Sequence, residues 1–302
     1  MTKAFDTELT IVGPLRSPAQ MLAHQEYDGH ASVHDDATAE KLGLIGAPIE
    51  GPTHFSQFDP IAVSLWGHEW FERGCISAHF ENMVIEGEQV QASAVQVSDH
   101  LAKIRAVKAD GTPVLSGTIT LGPVHPTTEL DSRLASSKEP GELFIIDQLF
   151  VGQKSRAVTA TMGFNEHNGN LYPFSLADKL RHITEPSPWY NPETASASPW
   201  HAAIIPFEMA SVLAAKCPNA GEVRGPAVGL FMDLEIRMIN GPLFVDHEYA
   251  MEREVVLLGQ TKRVEYHYTR TTISEPSTGK PVCEILLNQG VFKASFAAYP
   301  GN

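Results

Sequence analysis

The chain carries the same short patterns twice, in the same order, and this constrains its architecture more than any other feature. Tyr27-Asp28-Gly29-His30, followed by Ala39-Glu40-Lys41-Leu42, is echoed by Phe164-Asn165-Glu166-His167, followed by Ala177-Asp178-Lys179-Leu180. Gly111-Thr112-Pro113-Val114, followed by Gly122, is echoed by Gly279-Lys280-Pro281-Val282, followed by Gly290. The second pair keeps a constant separation, and the first differs by one inserted residue. The chain therefore reads as one unit written twice. The boundary falls in a polar stretch rich in turn-forming residues, opened by Pro123 and closed by Pro140-Gly141. This gives a first domain over residues 1–123, a linker over 124–141 and a second domain over 142–302. Within the linker, Leu130 to Ala135 reads as a helical turn.

Each unit reads in the same order: an early strand, a polar loop, a helix and a run of long strands. The early strands are expected at Glu8–Val12 and Leu143–Gly152. Apolar residues at three-to-four spacing predict helices over Gly51–Trp66 and His201–Ala215. The closing strands of the first unit are expected at Ser77–Val84, Glu88–Val97, Leu101–Lys108 and Pro113–Leu121. Those of the second are expected at Ala227–Met238, His247–Leu258, Lys262–Ile273 and Lys280–Ala294. One helix and one antiparallel meander, made twice, pack best when each sheet curls around its helix and the two sheets join edge to edge. That is an α+β fold of the double hot-dog kind: two long central helices, each wrapped by an antiparallel sheet, joined as a pseudo-dimer.

The segment Val33-His34-Asp35-Asp36, with Pro48-Ile49-Glu50-Gly51 after a loop of small residues, resembles the MaoC-like, (R)-specific enoyl-CoA hydratases. Their signature is roughly D-x-N-P-[LIV]-H-x-[DE], and their late hairpin finds a counterpart in Asp110-Gly111-Thr112-Pro113. The resemblance implies addition or removal of water across a C=C bond conjugated to an acyl thioester. It also implies a small-molecule substrate and a His–Asp pair that holds the water. His34 is the expected general base. The signature's Asp falls on Gly29, its Asn-Pro on Ala31-Ser32, and the repeat puts Tyr172 where His34 stands. Asp28, one position early, and His30, as a second imidazole, are the candidates to replace the missing acid. Backbone N–H groups at the start of the first central helix, with Gly51 at its mouth, would hold the developing enolate oxygen.

Other residues support different chemistry. Glu50 and His54 lie one turn apart at the helix start, with Gln57 beyond, where hot-dog thioesterases carry their catalytic group. The Pro-stiffened loop with Trp189 and Tyr190 reads either as a lid over the substrate or as a plug between the halves. Trp66, Trp70 and Phe71 read as core or interface. Lys103, Arg105 and Lys108, and separately Lys154 and Arg156, are the candidates for coenzyme A phosphates. Loss of the signature's Asp leaves a third reading, a binding protein that has lost its chemistry.

A net charge of −14 excludes broad nucleic-acid binding. No apolar run is long enough to span a bilayer. Cys75, Cys217 and Cys283 match neither a disulfide framework nor a zinc pattern, so a reducing, cytoplasmic setting is expected. The 13 histidines show no zinc spacing, and no dinucleotide-binding glycine motif occurs. No metal or cofactor is therefore expected. A further homodimer is compatible with all of these readings.

Overall fold

The computed structural model describes residues 8–27 and 29–300. Ten strands pair antiparallel into one sheet. They are β1 (Thr10–Arg16), β2 (Gly74–Phe80), β3 (Val90–Ser98), β4 (Leu101–Lys108), β5 (Pro113–Leu121), β6 (Val158–Thr161), β7 (Gly229–Met238), β8 (Glu248–Gln260), β9 (Val264–Ser274) and β10 (Pro281–Phe292). Their spatial order is β1-β3-β4-β5-β2-β7-β10-β9-β8-β6. The five strands of each half thus follow the same order outward from a central contact, as the sequence repeat predicts. That contact pairs Cys75–His79 with Arg237–Asp233. The closing strands fall where alternation places them, within a few residues.

The early strands differ. The first spans Thr10–Arg16, and Leu143–Gly152 forms no strand. Its backbone is held by a side chain instead: the buried Glu265 carboxylate accepts the N–H groups of Phe144, Ile145 and Ile146 at 2.9, 2.8 and 3.2 Å. Ile145 and Ile146 are buried in a small satellite core. The first ladder strand of that half comes later, at Val158.

The helices are α1 (Asp36–Lys41), α2 (Asp59–Trp66), α3 (Glu69–Arg73), α4 (Glu129–Ala135), α5 (Leu176–Leu180) and α6 (Phe207–Ala214). The two long central helices of the sequence reading are shorter than expected. The first is a 3-10 segment, Gly51–Phe58, that passes into α2. Pro60 lacks the N–H that a continuous helix would bond to Ser56, so the register changes there. In the second half, Pro206 is the N-cap of α6, so the helix starts six residues late.

One apolar core contains residues from both halves, including Phe55, Phe58, Trp70, Phe207 and Leu213. Trp70 and Phe207 stack with centroids 4.5 Å apart, which confirms Trp70 as an interface residue. The linker's predicted turn is α4, closed at its start by a reciprocal Thr128–Asp131 capping box. It covers the central strands. Leu130 donates its N–H to Ser77 Oγ at 3.0 Å, and Thr128 Oγ1 donates to Glu235 at 2.6 Å. Among the described residues no helix is long and apolar enough to cross a membrane.

Candidate active site

A cavity of about 1410 Å³ opens between the halves. The first half contributes the segments around His34 and Glu50, and the second contributes Tyr172, residues after α6 and the inner faces of β7 to β10.

His34 sits on a pinned loop. Ser32 Oγ accepts its N–H at 3.1 Å, Asp35 caps α1 through the Thr38 N–H, and Asp36 accepts the Ala47 N–H. The ring lies with Nδ1 2.6 Å from the Pro48 carbonyl. A carbonyl only accepts, so Nδ1 carries the proton and Nε2 keeps its lone pair. Burial lowers the His34 pKa, partly offset by that bond, which keeps the ring neutral at pH 7. His30 also lines the cavity, with Nδ1 3.3 Å from the Ala227 carbonyl and its ring edge-on to Tyr27. Asp28 lies outside the described residues.

Glu50, two residues beyond Pro48, is buried in the cavity wall. Tyr172 donates its hydroxyl to Glu50 Oε1 at 2.8 Å. The residue at the echo of His34 therefore holds the first half's carboxylate. Burial raises the Glu50 pKa to about 7, against the opposing pull of Lys179 and Tyr172. Lys179 is itself buried, 3.0 Å from Glu208, and donates to Thr53 at 3.1 Å. Ser56 donates to the other Glu208 oxygen.

Gly51 opens the 3-10 segment. A Cβ there would lie 2.7 Å from the Phe80 ring, so glycine permits this close approach. Pro52 has no N–H, and Thr53 donates its N–H to the Glu50 carbonyl at 3.1 Å. The Gly51 N–H has no partner among the described residues. His54 lines the cavity, but burial lowers its pKa to about 4, so it is neutral. Gln57 lies 3.4 Å from His54 Nδ1 and does not reach the cavity.

The lid reading of Trp189 and Tyr190 is corrected, because neither lines the cavity. Tyr190 donates to Asp59 at 3.0 Å, and Asp59 also accepts from Trp70 at 2.8 Å. Trp189 packs edge-on against Phe71 and Trp200. Both aromatics fill the space between the halves. The expected phosphate cations are also elsewhere. Lys103, Arg105 and Arg156 are exposed, Lys108 pairs with Glu88 at 2.7 Å, and Lys154 pairs with Glu252 at 2.6 Å.

The cation that does line the cavity is Arg253, accompanied by His267, and sequence reasoning missed both. Arg253 lies between Glu252 and Glu254, which makes it look like part of a solvated strand face. Among the described residues no cluster of three or more His, Cys, Asp or Glu could hold a metal ion. All three cysteines are buried as free thiols.

No family model and no curated protein sequence matches the chain. Solved structures do. A putative MaoC domain protein dehydratase from Chloroflexus aurantiacus is similar over 95% of both chains, with a TM-score of 0.61 and 14% identity. Rv0216 of Mycobacterium tuberculosis, described as having a double hot-dog fold, is similar over 95% of this chain and 97% of its own. Its TM-score is 0.58 at 9% identity. This chain has the double hot-dog fold. At such identities the likeness extends to the fold alone. Within the double hot-dog, His34 and Glu50 come from the first half and Tyr172 from the second, so the candidate site is composite.

Proposed function

We propose that the protein is a hydro-lyase that adds water to, or removes it from, a C=C bond conjugated to an acyl thioester. The two halves, residues 1–123 and 142–302, would act as a pseudo-dimer with one composite site at their junction. The observation that carries this reading is the pair of side chains flanking Pro48 in one cavity wall, His34 with Nδ1 on the Pro48 carbonyl and Glu50 under the Tyr172 hydroxyl. The Pro48 carbonyl fixes the tautomer of His34 and burial keeps its ring neutral, while burial raises the Glu50 pKa to about 7, so that Glu50 can hold a proton near neutral pH.

In the hydration direction, His34 Nε2 takes a proton from water as its oxygen attacks the β-carbon. Glu50 delivers a proton to the α-carbon. The thioester oxygen gains charge in between, and the Gly51 N–H is the free donor for it. Glu50 thereby replaces the signature acid whose position is occupied by Gly29. The same residues define the thioesterase alternative, in which Glu50 acts on the thioester carbonyl.

Loss of the conjugated absorbance of crotonyl-CoA tests the reading, with thiol release followed in parallel. His34→Ala should lower the rate at least about 100-fold. Unchanged turnover in that variant, or thiol release in place of hydration, overturns the hydratase.

A further inference from the structure

On β8 and β9 the inner wall of the second half carries a polar patch, beside the apolar lining that β7 and β10 supply. Arg253 of β8 and His267, Thr269 and Thr271 of β9 line the cavity. The large apolar residues of β9, Tyr266 and Tyr268, lie on the opposite face, packed with Leu130 and Leu134 of α4. Strand β9 thus turns its tyrosines to the linker and its polar residues to the ligand space.

Arg253 is the decisive group. Nε donates to Thr271 Oγ1 at 2.9 Å, Nη1 to Asn219 Oδ1 at 2.9 Å and Nη2 to the Ala214 carbonyl at 2.7 Å. All three acceptors are neutral, and no carboxylate among the described residues pairs with the guanidinium. Three of its five N–H groups are used, leaving one on each terminal nitrogen. Burial disfavours its charge, yet a guanidinium keeps its proton. His267 is neutral because burial and Arg253 lower its pKa to about 4. A half-buried cation without a counter-charge carries a desolvation cost, and a neutral donor would suffice to tie down the end of α6.

We infer that the substrate carries a second anionic group, a carboxylate on its acyl chain, which Arg253 receives through its two free N–H groups. The identification of the chain as an acyl thioester rests on the hydratase reading above. Arg253, Tyr172 and Glu50 line the same cavity, and the Tyr172 hydroxyl holds Glu50, so the anion pocket and the proposed proton donor face one ligand space. A carboxylate presents two oxygens to two N–H groups, the geometry in which arginine discriminates best.

Calorimetric titration of the full chain with succinyl-CoA and butyryl-CoA tests the pocket. Both probes are saturated four-carbon thioesters that differ in the terminal carboxylate. Succinyl-CoA should bind about 30-fold more tightly than butyryl-CoA, and Arg253→Gln should abolish that preference. Thr271→Val keeps the charge and loosens its anchor, so it should lose part of the preference. It carries the test should Arg253→Gln fail to fold. Equal wild-type affinity for the two thioesters overturns the proposal. So does Arg253-dependent stabilisation by inorganic phosphate without a succinyl preference, because the pocket would then serve the carrier's phosphate. A succinyl preference without hydration of either crotonyl-CoA or its terminally carboxylated analogue would retain the pocket and sink the hydratase. Hydration of crotonyl-CoA without that preference would do the reverse.

Discussion

Burial raises the Glu50 carboxyl from its ordinary 4.5 to about 7. A folded pKa above the unfolded one means that folding takes up a proton between those values. The stabilisation is complete below pH 4.5 and is lost as the pH rises to about 7, on the order of 3 kcal/mol. Glu50→Gln should therefore gain stability relative to the parent at pH 8 and little at pH 4, as measured by urea unfolding at both. The pH profile of kcat/KM should fall above about 7 in the parent, as Glu50 loses its proton. Tyr172→Phe removes a bond to the ionised carboxylate, so that fall should move to higher pH. An unshifted profile would separate Glu50 from the chemistry. At this scale the place of His34 in the cavity was legible, because its neighbours carry a recognisable pattern. The role of Tyr172 was not: the repeat marks it as a lost histidine, and only the fold brings its hydroxyl to Glu50.

Between elements, the buried pair of Lys179 on α5 and Glu208 on α6 fixes how the second half meets the 3-10 segment of the first. Removing one partner leaves an unpaired charge inside the core. Lys179→Met should cost about 3–5 kcal/mol, and adding Glu208→Leu should recover most of that loss. Chemical denaturation of the two single variants and the double variant gives the coupling directly; additive losses would show that the charges do not act as a pair. Strands were legible because alternation and turn residues are local signals. The helices were legible in place but not in length, because Pro60 and Pro206 outweigh the apolar spacing around them. Leu143–Gly152 misled because its apolar run resembles a strand, while the group that satisfies its backbone, Glu265, lies far away in sequence. The polar inner wall of β8 and β9 was invisible for a related reason. Alternation separates two faces without saying which one turns inward.

Across the whole molecule, one core joins the halves, with Trp70 stacked on Phe207 and Tyr190 bonded to Asp59. Tryptophan fluorescence and far-UV circular dichroism should therefore trace a single coincident urea transition. Two separated transitions would mean that each half holds its own structure. The middle of β2 and β7 shows what joining two copies on one polypeptide makes available. Ser77 pairs with Thr118 and Glu235 with Leu286, equivalent positions in the repeat, and Ser77 and Glu235 face one another. In an assembly of two identical chains, a residue on the twofold axis meets its own copy. A glutamate there would meet a glutamate, and one of the two would have to give up its charge. Here serine stands opposite, while Thr128 and Arg237 bind the Glu235 carboxylate at 2.6 and 2.7 Å. Fusion releases the axis from self-complementarity, and Thr128, on the connecting chain, serves one side alone.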